Sequence, residues 1–265
     1  MNFSKKELTS FLKKFSQPLR TSIEDSILEL EGRVQFSDSE IEKSVNISLD
    51  MLDQNLEEMS KIMGKEFIDN YKKTLTTAAT NAKENNITQE FRIKILNNIK
   101  ELKEFNFEDD EFIFILDGNY NIDTDIEIPE STIVIVNGDI QAKNIILWGS
   151  LYVKNNITCN TLFGRPGEYG EKTHVGGNIT ATNIIGYVHH IMAEKEIFVK
   201  NLINIDSEII AKQKIQVKEF SWIRAEEEDS GKLHPSILSD DEDPFFDENK
   251  FYELLKMDIP FQLKR

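Results

Sequence analysis

The stretch from Ile133 to Phe220 repeats itself, and that repetition constrains the fold more than any other feature of the chain. Five segments superpose: VIVNGDIQAKNI ending at Ile145, LYVKNNITCNTL at Leu162, THVGGNITATNI at Ile184, IMAEKEIFVKNL at Leu202 and IIAKQKIQVKEF at Phe220. Each has a short apolar strand, a polar corner, and a branched residue that opens a second strand. The corner-following isoleucines, Ile140, Ile157, Ile179, Ile197 and Ile215, are separated by 17, 22, 18 and 18 residues. Such a period, with alternation every second residue, is too short for helical repeats such as TPR or HEAT and matches one coil of a parallel β-solenoid.

The pattern within each coil says what is buried. In Ile140-Gln141-Ala142 and Ile179-Thr180-Ala181 the first and third side chains share a face and the alternates are polar, so one face stacks inward and the other meets water. One coil cannot shield its apolar face, but the next coil can. Gly138, Gly176 and Gly177 fall at the corner, where glycine's tolerance of positive φ is the expected reason for them. The lone cysteine, Cys159, occupies the inward position of Ala142 and Ala181 and reads as a small core residue.

Residues 1–105 read as a helical bundle. Ser4 caps a first helix with Leu8, Phe11, Leu12 and Phe15 on one face, and Pro18 interrupts it. A second helix starts near Thr21, with Glu24 completing a capping box and Ile23, Ile27, Leu28 and Leu30 as its stripe, and stops near Gly32. Ser37 and Glu40 box a third helix that carries Ile41 through Met63 to Gly64. A further helix holds Phe67, Ile68, Tyr71 and Leu75, and Thr88 caps a last one with Phe91, Ile95, Ile99 and Leu102. The bundle suits either dimerisation or capping of the solenoid end.

The fold class is therefore α+β, with a helical domain over 1–105, a parallel β-solenoid (β-helix) over 111–220 and an acidic C-terminal segment with a short helix over 221–265. Phe112–Leu116 enters the solenoid as a buried strand. The insertion Gly164–Lys172 projects from one coil as a loop, either with Arg165 and Tyr169 as candidate recognition residues or as a plain tolerated insertion. Residues 226–248 hold ten carboxylates against Lys232 alone. Phe245 and Phe246 interrupt this run, and Phe251, Tyr252, Leu254 and Leu255 suggest the final helix.

Charge narrows the partners. A net −16 argues against binding a nucleic-acid backbone and permits a basic protein partner, which opposite fields would steer; the alternative is an acidic balance that only maintains solubility. No run approaches the ~18 apolar residues of a membrane span, and the N-terminus lacks an apolar signal core, so cytoplasmic residence is expected. No nucleophile elbow, phosphate loop, dinucleotide fingerprint or HExxH motif occurs, and no calcium-loop spacing accompanies Asp240–Asp243. His174, His189 and His190 are expected to stack or hydrogen-bond at the solenoid surface, since adjacent strand residues point apart. The expectation is a non-enzymatic protein with no cofactor and no metal. A polysaccharide-active β-helix, which needs two carboxylates about 5 to 9 Å apart, is the enzymatic alternative.

The element Asn137-Gly138-Asp139-Ile140-Gln141-Ala142 resembles the coils of bactofilins, bacterial polymer-forming cytoskeletal proteins, although their solenoids lack 105 preceding residues of this kind. Gly186-Tyr187-Val188-His189 and Asp243-Pro244-Phe245-Phe246-Asp247 resemble elements of β-solenoid immunity partners of polymorphic and contact-dependent bacterial toxins, over residues 110–265. That second resemblance implies a protein that occludes a basic toxin domain, such as a nuclease; the first implies a self-assembling scaffold. The expected partner-binding residues are Trp222, Glu226, Glu227, Glu228, Asp229, Asp240, Asp241, Glu242, Asp243, Phe245, Phe246 and Asp247.

Overall fold

The repeats stack in the register that the sequence alignment gives them, except at the end of the last one. The structure, a computed structural model, describes residues 5–34, 64–84, 92–96, 111–167, 170–224, 232–242, 244–259 and 263–264. One parallel sheet runs β1 (Arg92–Leu96), β2 (Glu111–Asp117), β5 (Ile133–Asn137), β7 (Ser150–Val153), β9 (Lys172–Val175), β11 (His190–Ala193) and β13 (Ile209–Ala211). The other begins with β3 (Tyr120–Asn121) and β4 (Ile126–Ile128) beside β6 (Ile140–Leu147). It continues through β8 (Ile157–Gly164), β10 (Ile179–Tyr187), β12 (Glu196–Ile205) and β14 (Lys214–Ile223). The five corner-following isoleucines pair in one column, from Ile140 with Ile157 to Ile197 with Ile215. Ala142, Cys159, Ala181, Val199 and Val217 form the next column.

These columns line a single interior core with Phe114, Leu116, Val134, Val136, Leu151, Val153, Ile191 and Ala193. A polar column runs beside them, where each long strand bends. There the Asn201 amide donates to Asn183 (2.9 Å), Asn183 to Thr161 (3.2 Å), and Asn144 to Asp125 (2.9 Å). Neighbouring coils thus supply acceptors for these amide NH2 groups and spare them the desolvation penalty of an unpaired donor, although the Asn144 Oδ1 has no hydrogen-bond partner.

Several expectations are corrected. Arg92–Leu96 is a strand paired with β2, not the middle of a last helix; its alternating isoleucines suit a sheet as well as a helix, and the sheet edge decides. The corner glycines are not at positive φ. A Cβ on Gly138 would collide with the Gly118 carbonyl, and on Gly176 and Gly177 with those of Lys154 and Asn155, so close passage of the previous coil explains them. Phe220 does not align with Leu202. An extra residue in β14 pairs Phe220 with Asn201 and Ser221 with Leu202.

By contacts the chain forms two compact units, Met1–Ile27 with Phe91–Arg265, and Leu28–Glu90. In the first, helix α1 (Lys5–Leu12) and the part of helix α2 (Gln17–Val34) up to Ile27 present Leu8, Phe11, Leu12, Leu19 and Ile23 to buried surroundings. They attach to the outer face of the first sheet: Ser26 shares a 2.5 Å hydrogen bond with Tyr152, and Ser16 donates to Glu194 at 2.6 Å. Helix α2 starts earlier than Thr21 because the Ser16 hydroxyl accepts from the Leu19 amide as its cap. Pro18 then sits in the first turn, where its missing N–H costs nothing, and the helix continues past Gly32. Leu28, expected on the buried stripe, is exposed.

In the second unit, helix α3 (Lys65–Glu84) buries Ile68 and leaves Phe67 stacked on an exposed Tyr71. The threonines Thr74, Thr76 and Thr77 donate back to carbonyls one turn earlier, which satisfies hydroxyls inside a helix. The expected helix from Ser37 to Met63 lies outside the described residues, as do Ile99 and Leu102. Among the described residues, no helix is long and apolar enough to cross a membrane.

Candidate interaction surface

The second sheet is apolar on its outer side too. Ile146, Phe163, Ile185, Ile203 and Trp222 pair in one column, facing away from the interior. The C-terminal segment covers this column with Leu233, Ile237, Leu238, Phe246, Phe251, Leu255 and Leu263. The apolar doublets Ile145-Ile146, Leu162-Phe163, Ile184-Ile185 and Leu202-Ile203 were its sequence signal, since a strand buried on both faces loses its alternation. The described residues between 232 and 264 thus form a folded cover over one side of the solenoid.

Helix α4 (Glu248–Lys256) is the body of the cover. The Asp247 carboxylate caps it, accepting from the Asn249 and Lys250 amides at 3.0 Å each. Phe251 meets Phe163 edge-on at 4.9 Å, and Phe246 packs on Phe251 and Tyr187. Arg165 fastens the cover to the inserted loop. Its guanidinium lies 4.4 Å from the Trp148 ring centre and 4.9 Å from that of Tyr252, pairs with Glu248 at 3.1 Å and donates to Asn249 at 2.9 Å. Arg165 therefore serves internal packing; Tyr169 lies outside the described residues. Nearby, Glu127 accepts from Tyr252 (2.7 Å) and Lys256 (2.8 Å). Burial, followed by that hydrogen bond, raises the Tyr252 pKa.

Ahead of the helix the cover makes a pinched turn. Leu238 and Phe246 bridge antiparallel, the Ser239 amide donates to the Phe245 carbonyl (2.8 Å), and the Phe245 amide donates to the Ser239 hydroxyl (3.2 Å). Asp240, Asp241 and Glu242 are exposed on its tip. Lys250 steadies the base, reaching the Leu238 carbonyl at 2.8 Å and Asp240 at 2.6 Å. Consecutive residues of an extended segment point apart. Phe246 accordingly turns inward at 5% exposure while Phe245 stands in water at 55%.

Of the residues expected to bind a partner, the turn brings together Asp240, Asp241, Glu242 and Phe245. Trp222 and Phe246 belong to the protein's own packing, and Asp247 is a helix cap. Glu226, Glu227, Glu228, Asp229 and Asp243 lie outside the described residues.

The histidines divide differently from the expectation. His190 is exposed, but His174 and His189 are buried. Coil register sets His174 beside Tyr152 and Met192, so it does not meet His189. The His174 ring lies 3.5 Å from Glu194, and its pKa is lowered chiefly by burial. The His189 ring occupies a niche that a Cβ on Gly164 would fill and bonds to Thr173 at 3.0 Å. Burial pushes its pKa down to about 3, which keeps it neutral. Burial likewise pushes the Cys159 thiol up to about 12, making it an inert packing group. Among the described residues no group of His, Cys, Asp and Glu is arranged to hold a metal ion. No family model, curated protein or solved structure matches the chain.

Proposed function

We propose that this chain is a bacterial immunity protein that binds a basic toxin domain in the cytoplasm and occludes its cleft, without chemistry of its own. The observation that carries the reading is Phe245, an aromatic side chain held in water at the foot of an acidic turn that is hydrogen-bonded at both ends. A fixed turn has little conformational freedom left to lose on binding. Aromatic side chains, phenylalanine among them, are enriched in the cores of protein interfaces. Asp241 and Glu242 would steer a basic surface toward it, adding chiefly to the rate of association.

The reading is tested with the triple variant Asp241→Lys, Glu242→Lys, Phe245→Ala, none of whose side chains is buried. The native chain is expected to retain a small basic protein at low salt, and co-expression should abolish that protein's toxicity. The variant should keep its melting temperature and lose both properties. Full protection by a folded variant, or a native chain that rescues no basic toxin, would sink the proposal.

A further inference from the structure

The two ends of the solenoid are finished differently. At the first coil the inward side chains Phe114, Leu116, Ile126 and Ile128 are enclosed, and Tyr120 alone of the set is partly covered. At the last coil, Ile209 and Ala211 on β13 and Ile215 and Val217 on β14 are only partly covered. These four repeat the set one coil earlier, Ile191 and Ala193 with Ile197 and Val199, which the last coil buries. Among the described residues no strand pairs with the outer edges of β13 and β14. An apolar cross-section bounded by two unpaired strand edges is a template for another chain.

We infer that this end is a self-association surface, where two copies of the chain meet last coil to last coil. A foreign extended strand would pair with one edge and leave the other open. A second copy brings the same cross-section and covers both at once. Charge points the same way. The net −16 of the chain repels another copy across most of its surface. Residues 206–224, however, carry Asp206, Glu208 and Glu219 against Lys212, Lys214, Lys218 and Arg224, a near balance of mixed sign. The extra residue in β14 falls between Val217 and Phe220. It bends the strand there and confines the apposition to β13 and the first half of β14. Since nearly all the inward side chains of the first coil are enclosed, that end offers no comparable apolar cross-section, and association stops at two, with like ends meeting across a two-fold axis.

The test is the mass of the full chain by light scattering, from low to high micromolar concentration at physiological salt. A monomer–dimer equilibrium is expected, and Val217→Lys should weaken it at least tenfold. Because that variant could disturb the coil, single cysteines give an independent reading. Gln213→Cys, exposed at the open end, should oxidise to a linked dimer, whereas Asn121→Cys, exposed at the closed end, should not. The buried native Cys159 stays silent in both. A chain that remains monomeric throughout, assemblies larger than two, a dimer indifferent to a folded Val217→Lys, or linkage through Asn121→Cys would each overturn the inference.

Discussion

Arg165 and Glu248, 83 residues apart in the chain, form an ion pair of 3.1 Å between the inserted loop and the first turn of the covering helix. The arginine is almost wholly enclosed, so its partner and the flanking rings of Trp148 and Tyr252 replace the water it gave up.

Arg165→Met should therefore loosen the cover and cost about 3 kcal/mol, the scale for breaking a buried pair from one side. The chain's two tryptophans, Trp148 and Trp222, both pack in this region, so their fluorescence reports it directly. The expected result is a red-shifted emission and faster proteolysis within 232–264. Unchanged emission would mean that the apolar contacts hold the cover unaided.

The outer column makes a second prediction. Ile184 faces the interior and Ile185 the cover, yet both are fully buried. Ile185→Ala should destabilise the chain as much as Ile184→Ala, by about 2–5 kcal/mol each. Chemical denaturation would measure the pair; a near-neutral Ile185→Ala would show that the cover contributes little.

Val188 supplies a third. It is a β-branched residue at φ +50°, 46% exposed, at the corner that Gly170 and Asp206 occupy in adjacent coils, also at positive φ. Left-handed backbone costs an L-residue about 1–2 kcal/mol, while glycine's extra freedom in the unfolded chain returns part of that. Val188→Gly should stabilise by about 0.5–1 kcal/mol, seen as a later urea midpoint.

A fourth concerns pH. His189 titrates near 3 when folded and near 6.5 when free. Between those values the unfolded chain binds more protons, so this contribution is complete above pH 6.5 and declines as pH falls toward 3. Melting curves of the native chain and His189→Gln should therefore converge as pH is lowered from 7 to 4. A constant difference would mean that burial of the neutral ring is not what the residue contributes.

The solenoid was legible because stacked coils force the same side chain into the same column. Spacing alone aligned Ile140 with Ile157 and Ala142 with Cys159. The outer column was missed because alternation was expected to run the whole strand, whereas Ile145-Ile146 and Ile184-Ile185 break it. The acidic run obscured the cover: Asp247 and Glu248 count as charge in a composition, but one caps a helix and the other pairs with a buried arginine. Phe245 and Phe246 are indistinguishable in sequence, and only the direction of the backbone separates the exposed ring from the buried one.

Stacked coils have no intrinsic limit, since each added turn repeats the contacts of the last. The covered column from Ile146 to Trp222 has five rungs at strand spacing, about 19 Å in all. A segment of fixed length clasped across those rungs is a ruler. Duplicating one coil would leave a bare apolar rung or tear the clasp from one end, so this solenoid can drift in sequence far more freely than in length.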